Sequence, residues 1–248
     1  MPEPFANLPA WNMFQPPSGL ASPHLQSLLN SSGLRGRMVR RRSGPLEAAE
    51  QEWMMDGGDG VQLIGHYSPH ATESRGLAVL LHGWEGSSRS NYMLGTGARL
   101  YAEGYDVFRL NFRDHGESHH LNQGIFHSCR IDEVINALGD MQDRLNAVPW
   151  MLARFSLGGN FALRTSLYGP DRGLQIRRTV AICPVLNPDH ALMSMENGPA
   201  FYEKYYNRKW GRSLRKKQAH YPDDYDYDHW FSLESMREKT RFFATRDY

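Results

Sequence analysis

The chain has little of what marks several large classes of protein. Only two of its 248 residues are cysteines, too few for a disulfide framework or a zinc cluster, so we expect reduced thiols at Cys129 and Cys183. Its 28 Lys and Arg nearly cancel its 27 Asp and Glu. A neutral chain has no overall field to attract a polyanion, and we expect no nucleic acid among its partners.

Long apolar runs are also missing. The uninterrupted runs, such as LAVLL at residues 77–81, are far shorter than the roughly 20 residues of a membrane helix. The opening residues, MPEP, offer neither the basic segment nor the apolar core of a secretory signal. We therefore expect no transmembrane segment and, by default, a cytoplasmic location.

What the sequence does contain is the pattern of an α/β fold. Glycines in residues 56–60 (DGGDG) supply the positive φ angles of a tight hairpin, and this segment lacks the further ligands of a calcium loop. Short apolar runs then alternate with amphipathic stretches, which is typical of a mostly parallel sheet covered on both faces. The pattern predicts strands at 77–81, 106–111, 150–155 and 179–183, and helices near 90–103, 130–146 and 158–168.

We divide the chain into three parts. Residues 1–45 are rich in Pro, Ser, Asn and Arg without a sustained period and are interpreted as an N-terminal arm laid over the surface. Residues 46–185 form the predicted core, and the aromatic and charged residues 186–248 a helical cap and the start of a C-terminal part. The arginine-rich stretch 35–42 (RGRMVRRR) is interpreted as a solvated or salt-bridged face without assigned function.

One serine stands where a catalytic nucleophile would. Ser156 follows a predicted strand and precedes a predicted helix in FSLGGN, the strand, tight turn and helix order of a nucleophile elbow. Taken alone, a serine before a helix is more often an N-cap. A second motif, HGWEGSS at residues 82–88, follows the first central strand and can present a backbone amide toward that serine. We predict that the amides of Trp84 and Leu157 form an oxyanion hole.

Several motifs in order resemble one family. The chain is similar to the YheT-like branch of the α/β hydrolases in PHLQS at residues 23–27, HGWEGSSRSNY at 82–92, NFR at 111–113, FHS at 126–128, Asp132 and FSLGGN at 155–160. The resemblance runs from about His24 to the end of the chain. It implies the α/β-hydrolase fold and a serine hydrolase acting on carboxylic esters, short-chain or acylglycerol-like, with a small-molecule ester as its partner.

The chain departs from the family pattern at two places. Arg154 occupies the position of the leading glycine of G-x-S-x-G, where it either crowds the following helix or pairs outward with a carboxylate. No strand-like run follows residues 179–183, so we expect the last strands, with the triad acid and histidine, to lie beyond residue 248. The predicted last strand then becomes an exposed apolar edge, and we expect instability or self-association through it.

The histidines within the chain are poor candidates for the histidine of the triad. His190, His220 and His229, with Asp189, Asp226 and Asp228, follow the serine but fall in the presumed cap. His115, His119, His120 and His127 with Asp114 fit no zinc-ligand spacing, so we expect no metal, and His127 is given only a structural role.

No G-x-G-x-x-G or G-K-[ST] motif follows a strand, so we expect no cofactor. Two functions stay open: an esterase acting through Ser156, and an inert remnant or binding module.

Overall fold

The computed structural model describes residues 15–146 and 149–247. The part of the predicted arm before residue 15, and the opening residues tested for a secretory signal, lie outside these ranges. The predicted hairpin is confirmed: β1 (Gln51–Asp56) pairs antiparallel with β2 (Gln62–Ser68), with Asp56 opposite Gln62. Gly58, Asp59 and Gly60 all have positive φ, the backbone conformation that glycine adopts at little cost.

The central strands form one mostly parallel sheet. They are β3 (Leu77–Leu81), β4 (Asp106–Leu110), β5 (Trp150–Phe155) and β6 (Ile176–Ile182), and the sheet has the order β1-β2-β4-β3-β5-β6. Strands β3 to β6 are mutually parallel, while β2 joins β4 antiparallel. All five residues of β3 are buried, because helices cover both faces of a parallel sheet. The α/β class predicted from sequence is therefore confirmed.

Helices in the connections between the parallel strands cover both faces of the sheet. The predicted helices are α3 (Asn91–Ala102), α4 (Ile131–Leu145) and α5 (Leu157–Tyr168). Val79 and Leu81 of β3 share a core with α4 and α5, while Leu80 packs with Met93 of α3 and Leu46 of an earlier helix. A short 3₁₀ turn (Pro170–Arg172) connects α5 to β6.

The N-terminal arm contains two helices that the sequence pattern did not reveal. These are α1 (Pro23–Asn30) and α2 (Gly33–Ala48), with Ser22 and Ser32 as N-caps. Helix α2 crosses the predicted boundary at residue 45. Its buried face consists of Gly36, Val39, Ser43 and Leu46, whose helical spacing is regular but whose small residues give a weak hydropathy signal. The division into arm, core and cap stays a prediction.

Beyond β6 the described residues form helices: α6 (Pro188–Glu196), α7 (Ala200–His220), α8 (Asp228–Ser232) and α9 (Met236–Asp247). They enclose a small aromatic core that includes Trp210, Tyr227, Trp230 and Phe243. No helix within the described ranges is long and apolar enough to cross a bilayer.

Strand β6 lies at the open edge of the sheet. It pairs with β5 on one side, and Val180 and Ile182 remain 54% and 39% exposed. Unpaired edge groups beside apolar side chains favour pairing with another strand. The exposed edge agrees with the sequence-based expectation, while the self-association expected from it stays a prediction.

Candidate active site

Ser156 lies at the turn between β5 and α5, in a backbone conformation that few residues adopt. Its φ is 53° and its ψ is −121°. The Ser156 amide donates to the Ile182 carbonyl at 2.9 Å, and the Gly159 amide donates to the Ser156 carbonyl at 2.8 Å. A positive φ at a serine costs about 1–3 kcal/mol and persists only where the surroundings enforce it. This bend separates Ser156 from an ordinary N-cap, which has extended backbone angles.

Two glycines after Ser156 allow this tight approach. A Cβ atom at residue 158 would lie 2.3 Å from the His82 carbonyl oxygen, and one at residue 159 would lie 2.9 Å from Cα of Pro184. Neither contact is tolerable, and both obstacles are fixed backbone atoms. The glycines therefore bring α5 against the loop after β3 and the loop after β6.

The loop after β3 faces the serine, as the two motifs predicted. A Cβ atom at Gly83 would lie 3.1 Å from Cβ of Ser156, so the two segments touch. The Gly83 amide is occupied, because it donates to the Tyr92 hydroxyl at 2.9 Å. Within the described residues, the Trp84 and Leu157 amides donate to no acceptor, and both residues line the cavity beside Ser156.

Buried polar side chains hold this loop in place. His82 makes a 2.7 Å hydrogen bond through Nδ1 to the Gly83 carbonyl, and its Nε2 accepts from the Phe112 amide at 3.1 Å. The Ser88 amide donates to Asn111 at 2.7 Å, and Arg109 donates to the Ser88 carbonyl at 3.1 Å. The sequence predicts no role for Tyr92 or Arg109. The Tyr92 position inside the 82–92 motif was the available signal, whereas nothing in the sequence marked Arg109.

A largely apolar cavity of about 540 Å³ opens beside Ser156. Its walls come from the core loops and from the cap helices, including Leu192, Met195, Tyr206, Trp210, Met236 and Phe243. Trp84 stacks on Tyr206 with ring centroids 5.3 Å apart and nearly parallel planes. The cap therefore contributes an aromatic and aliphatic lining of the size that small-molecule sites have.

None of the three cap histidines lies in this cavity. His190, His220 and His229 are absent from its lining, and His229 packs on Phe242 instead. Asp189 does line it but pairs with Arg237 at 3.0 Å. No side chain in residues 15–146 and 149–247 forms a hydrogen bond with the Ser156 hydroxyl. In the part of the chain that the structure describes, Ser156 thus has no general base.

His115 and His127 line the cavity, and His115 has a structural task. Its Nδ1 bonds to the Arg113 carbonyl at 2.7 Å, while its Nε2 accepts from the Glu85 amide at 3.2 Å. Burial lowers the pKa of His115 to about 4 and that of His127 to about 4. Both rings are therefore neutral at neutral pH. Among the described residues, no group of three or more His, Cys, Asp or Glu side chains is arranged to hold a metal ion.

Of the two courses expected for Arg154, pairing with a carboxylate does not occur among the described residues, and crowding of the following helix stays a prediction. Arg154 lies between Leu81 of β3 and Ala181 of β6 in the sheet register and is fully buried. Its Nε, Nη1 and Nη2 atoms find no hydrogen-bond partner within the described residues. Burial lowers the pKa of Arg154 well below its usual value. The guanidinium is thus desolvated beside the serine turn without a carboxylate to compensate it.

Glu85 should make the stability of the chain depend on pH. Burial raises the pKa of its carboxyl from 4.5 to about 7, against the opposing effect of Lys209. Between these values the folded chain holds a proton that the unfolded chain has lost, so the free energy of unfolding falls as pH rises through the window. In the Glu85→Gln variant, we expect the decrease in the free energy of unfolding between pH 4.5 and 7.5 to be smaller by roughly 2 kcal/mol. Urea unfolding at a series of pH values measures it.

Glu117→Gln is the matched control for this prediction, because the Glu117 side chain is 88% exposed and exposed carboxyls contribute little. It should leave the pH dependence of the wild-type protein intact. Equal slopes for wild type and Glu85→Gln would show that Glu85 does not bind the additional proton.

The comparisons with known proteins agree with this geometry. A family model described as the alpha/beta hydrolase fold matches residues 78–244. Over 211 residues the chain is 26% identical to "Putative esterase YheT" of Escherichia coli, covering 84% of this chain and 59% of that protein, which supports the predicted resemblance to the YheT-like branch. The chain therefore spans less than two thirds of the length of this relative.

Solved structures show the same fold. The esterase Pf2001 of Pyrococcus furiosus superimposes with a TM-score of 0.51 at 22% identity, over 66% of this chain and 60% of that one. The esterase Est22 superimposes with a TM-score of 0.51 at 17% identity, over 72% of this chain and 58% of that one. At these identities the likeness concerns the fold.

Proposed function

We propose, from the premise that this chain belongs to the α/β-hydrolase fold family, that it is a serine hydrolase that cleaves carboxylic esters through an acyl-enzyme on Ser156. One observation carries the proposal: Ser156 stands on a strained turn at the mouth of an apolar cavity, next to the loop that holds the Trp84 amide. The relatives named above are described as esterases, which supports the same chemistry.

The proposed reaction has two halves. Oγ of Ser156 attacks the ester carbonyl, its proton passes to a general base outside the described residues, and the carbonyl oxygen becomes an oxyanion. The Trp84 and Leu157 amides donate to that oxyanion, a form of stabilisation worth about 3–4 kcal/mol for each donor in comparable sites. The alcohol then departs with a proton as the acyl-enzyme forms, and water hydrolyses the acyl-enzyme to the acid and free Ser156.

The proton of Ser156 has no acceptor among the described residues, which bears on the rate. Loss of triad members leaves about 10³- to 10⁴-fold catalysis over water from binding and the oxyanion hole. We propose that a histidine and an acid outside the described site complete the triad, and that the chain without them reacts slowly. The apolar lining favours an ester with an apolar acyl group, short-chain or acylglycerol-like.

A fluorophosphonate probe tests this proposal, since it bonds covalently to activated serines. We expect slow labelling of the peptide that contains Ser156 and at least a hundredfold less labelling of Ser156→Ala, because the proposed oxyanion site stabilises attack by Oγ of Ser156. Ser194→Ala is the matched control: Ser194 is exposed on α6 and its hydroxyl donates to the His190 carbonyl at 2.8 Å. Equal labelling of wild type and Ser156→Ala, or none in folded wild type, would end the esterase proposal.

A second function is favoured by Arg154 and by the lack of a general base for Ser156 among the described residues: a binding module that retains the cavity without turnover. In such a protein a bound long-chain ester would quench the fluorescence of Trp84 and Trp210, which both line the cavity, and no covalent labelling would occur.

The two free cysteines, both exposed, fit a reducing compartment, and the cytoplasm is the proposed location.

A further inference from the structure

The two N-terminal helices carry an apolar surface that nothing in the described structure covers. Helix α1 has no buried residue. Leu25, Leu28 and Leu29 follow the i, i+3, i+4 spacing that places side chains on one helix face, and all three are exposed, Leu28 to 51%. An eight-residue helix that buries nothing against its own domain is marginal in water.

Helix α2 also exposes apolar side chains, and here they lie among arginines. Leu34 is 69% exposed and Met38 is 45% exposed, one helical turn apart. Opposite them, Gly36, Val39, Ser43 and Leu46 face the domain. Five arginines flank the exposed apolar pair: Arg35, Arg37, Arg40, Arg41 and Arg42, all of them exposed.

Within residues 15–146 and 149–247, these arginines form no ion pair. No Asp or Glu occurs between residues 4 and 46. The expected solvated or salt-bridged face is therefore, within the described residues, a solvated cationic face. A neutral chain thus concentrates positive charge on one helix.

Apolar side chains flanked by arginines suit the surface of a bilayer. The apolar groups enter the boundary between headgroups and acyl chains, while long cationic side chains reach the anionic headgroups. A nucleic acid would use the same charge but gains little from leucines, because it is bound through stacking aromatics and phosphate contacts. The composition therefore favours lipid.

The surface also lies close to the cavity. His24 of α1 makes a 3.0 Å hydrogen bond to the Tyr202 hydroxyl of α7 and packs edge-on against Phe201. Helix α7 in turn supplies Tyr206 and Trp210 to the cavity lining. We propose that α1 and α2 dock the protein onto an anionic lipid bilayer, with exposed leucines inserted and the arginines of α2 at the headgroups.

Sedimentation with vesicles tests the docking. The protein should bind vesicles of phosphatidylcholine and phosphatidylserine, bind vesicles of phosphatidylcholine alone far less, and dissociate as salt rises. Because each arginine near an anionic surface changes affinity about fivefold, Arg41→Gln with Arg42→Gln should weaken binding roughly 25-fold. Leu28→Ser should weaken it about tenfold through lost apolar burial.

Two matched controls remove the same groups elsewhere. Arg177→Gln with Arg178→Gln takes two exposed arginines from β6, and Leu167→Ser takes an exposed leucine from α5; both should bind like wild type. Absence of binding, equal binding to both vesicle types, or equal losses in control and test variants would overturn the proposal. Binding to a duplex DNA oligonucleotide but not to acidic vesicles would overturn it in favour of nucleic acid. None of these readouts requires ester cleavage, so they are independent of the proposed function.

Discussion

Replacing Arg154 by methionine should stabilise the chain by about 3 kcal/mol, since a buried charge without a partner costs several kcal/mol. The guanidinium is fully buried and its three nitrogens lack partners within the described structure. Methionine keeps an unbranched chain of similar length, has no charge, and adapts to irregular space. In urea unfolding the midpoint should move to higher denaturant at constant slope, and the melting temperature should rise by roughly 5–10 °C.

Arg178→Met is the control for this change, because Arg178 is exposed on the neighbouring strand β6 and exposed substitutions stay within about 0.5 kcal/mol. If Arg154→Met instead lowers the midpoint, the guanidinium has a compensating partner. Fluorophosphonate labelling of the same variant then measures whether Arg154 also slows Ser156. Arg154 precedes Ser156 by two residues, at the end of β5.

Replacing Lys217 by methionine should destabilise the chain by about 3–5 kcal/mol, because it breaks a buried ion pair and leaves the other charge alone. Nζ of Lys217 in α7 donates to Asp114 at 3.0 Å, to the Gly124 carbonyl at 3.2 Å and to the Asn122 carbonyl. Burial raises the pKa of Asp114 and lowers that of Lys217. Both charges are thus desolvated, and each depends on the other.

The adjacent Lys216→Met provides a matched control. Lys216 pairs with Glu117 at 3.0 Å, but both side chains are solvent-exposed, and such pairs contribute at most about 1 kcal/mol. Unfolding followed through tryptophan fluorescence reports both parts, because Trp210 and Trp230 are buried in the cap and Trp150 is buried in the core. Adding Asp114→Asn to Lys217→Met should recover part of the loss. Equal effects of the two lysine variants would show that the buried pair does not join the cap to the core.

The core of the fold could be predicted because its signals are local. Buried parallel strands are short apolar runs, and β3 and β5 begin and end where the runs do. The sequence pattern missed α2, because its buried face combines Val39 and Leu46 with Gly36 and Ser43 while Leu34 and Met38 are exposed, and this leaves little hydropathy contrast between the two faces. It missed α1 because eight residues are fewer than the roughly 11 to 18 over which a helical period is recognised.

In the candidate site too, some features follow from local sequence and others from tertiary contacts. The strand, turn and glycines around Ser156 are properties of consecutive residues, so the sequence alone indicated the bend that the structure contains. Other features depend on residues that are distant in sequence. Arg109 supports Ser88 across 21 positions, and Lys217 pairs with Asp114 across 103. The burial of Arg154 likewise results from the packing of the whole sheet. Charge pairing and desolvation depend on distance in space, which local sequence does not encode, and so those features required the folded structure.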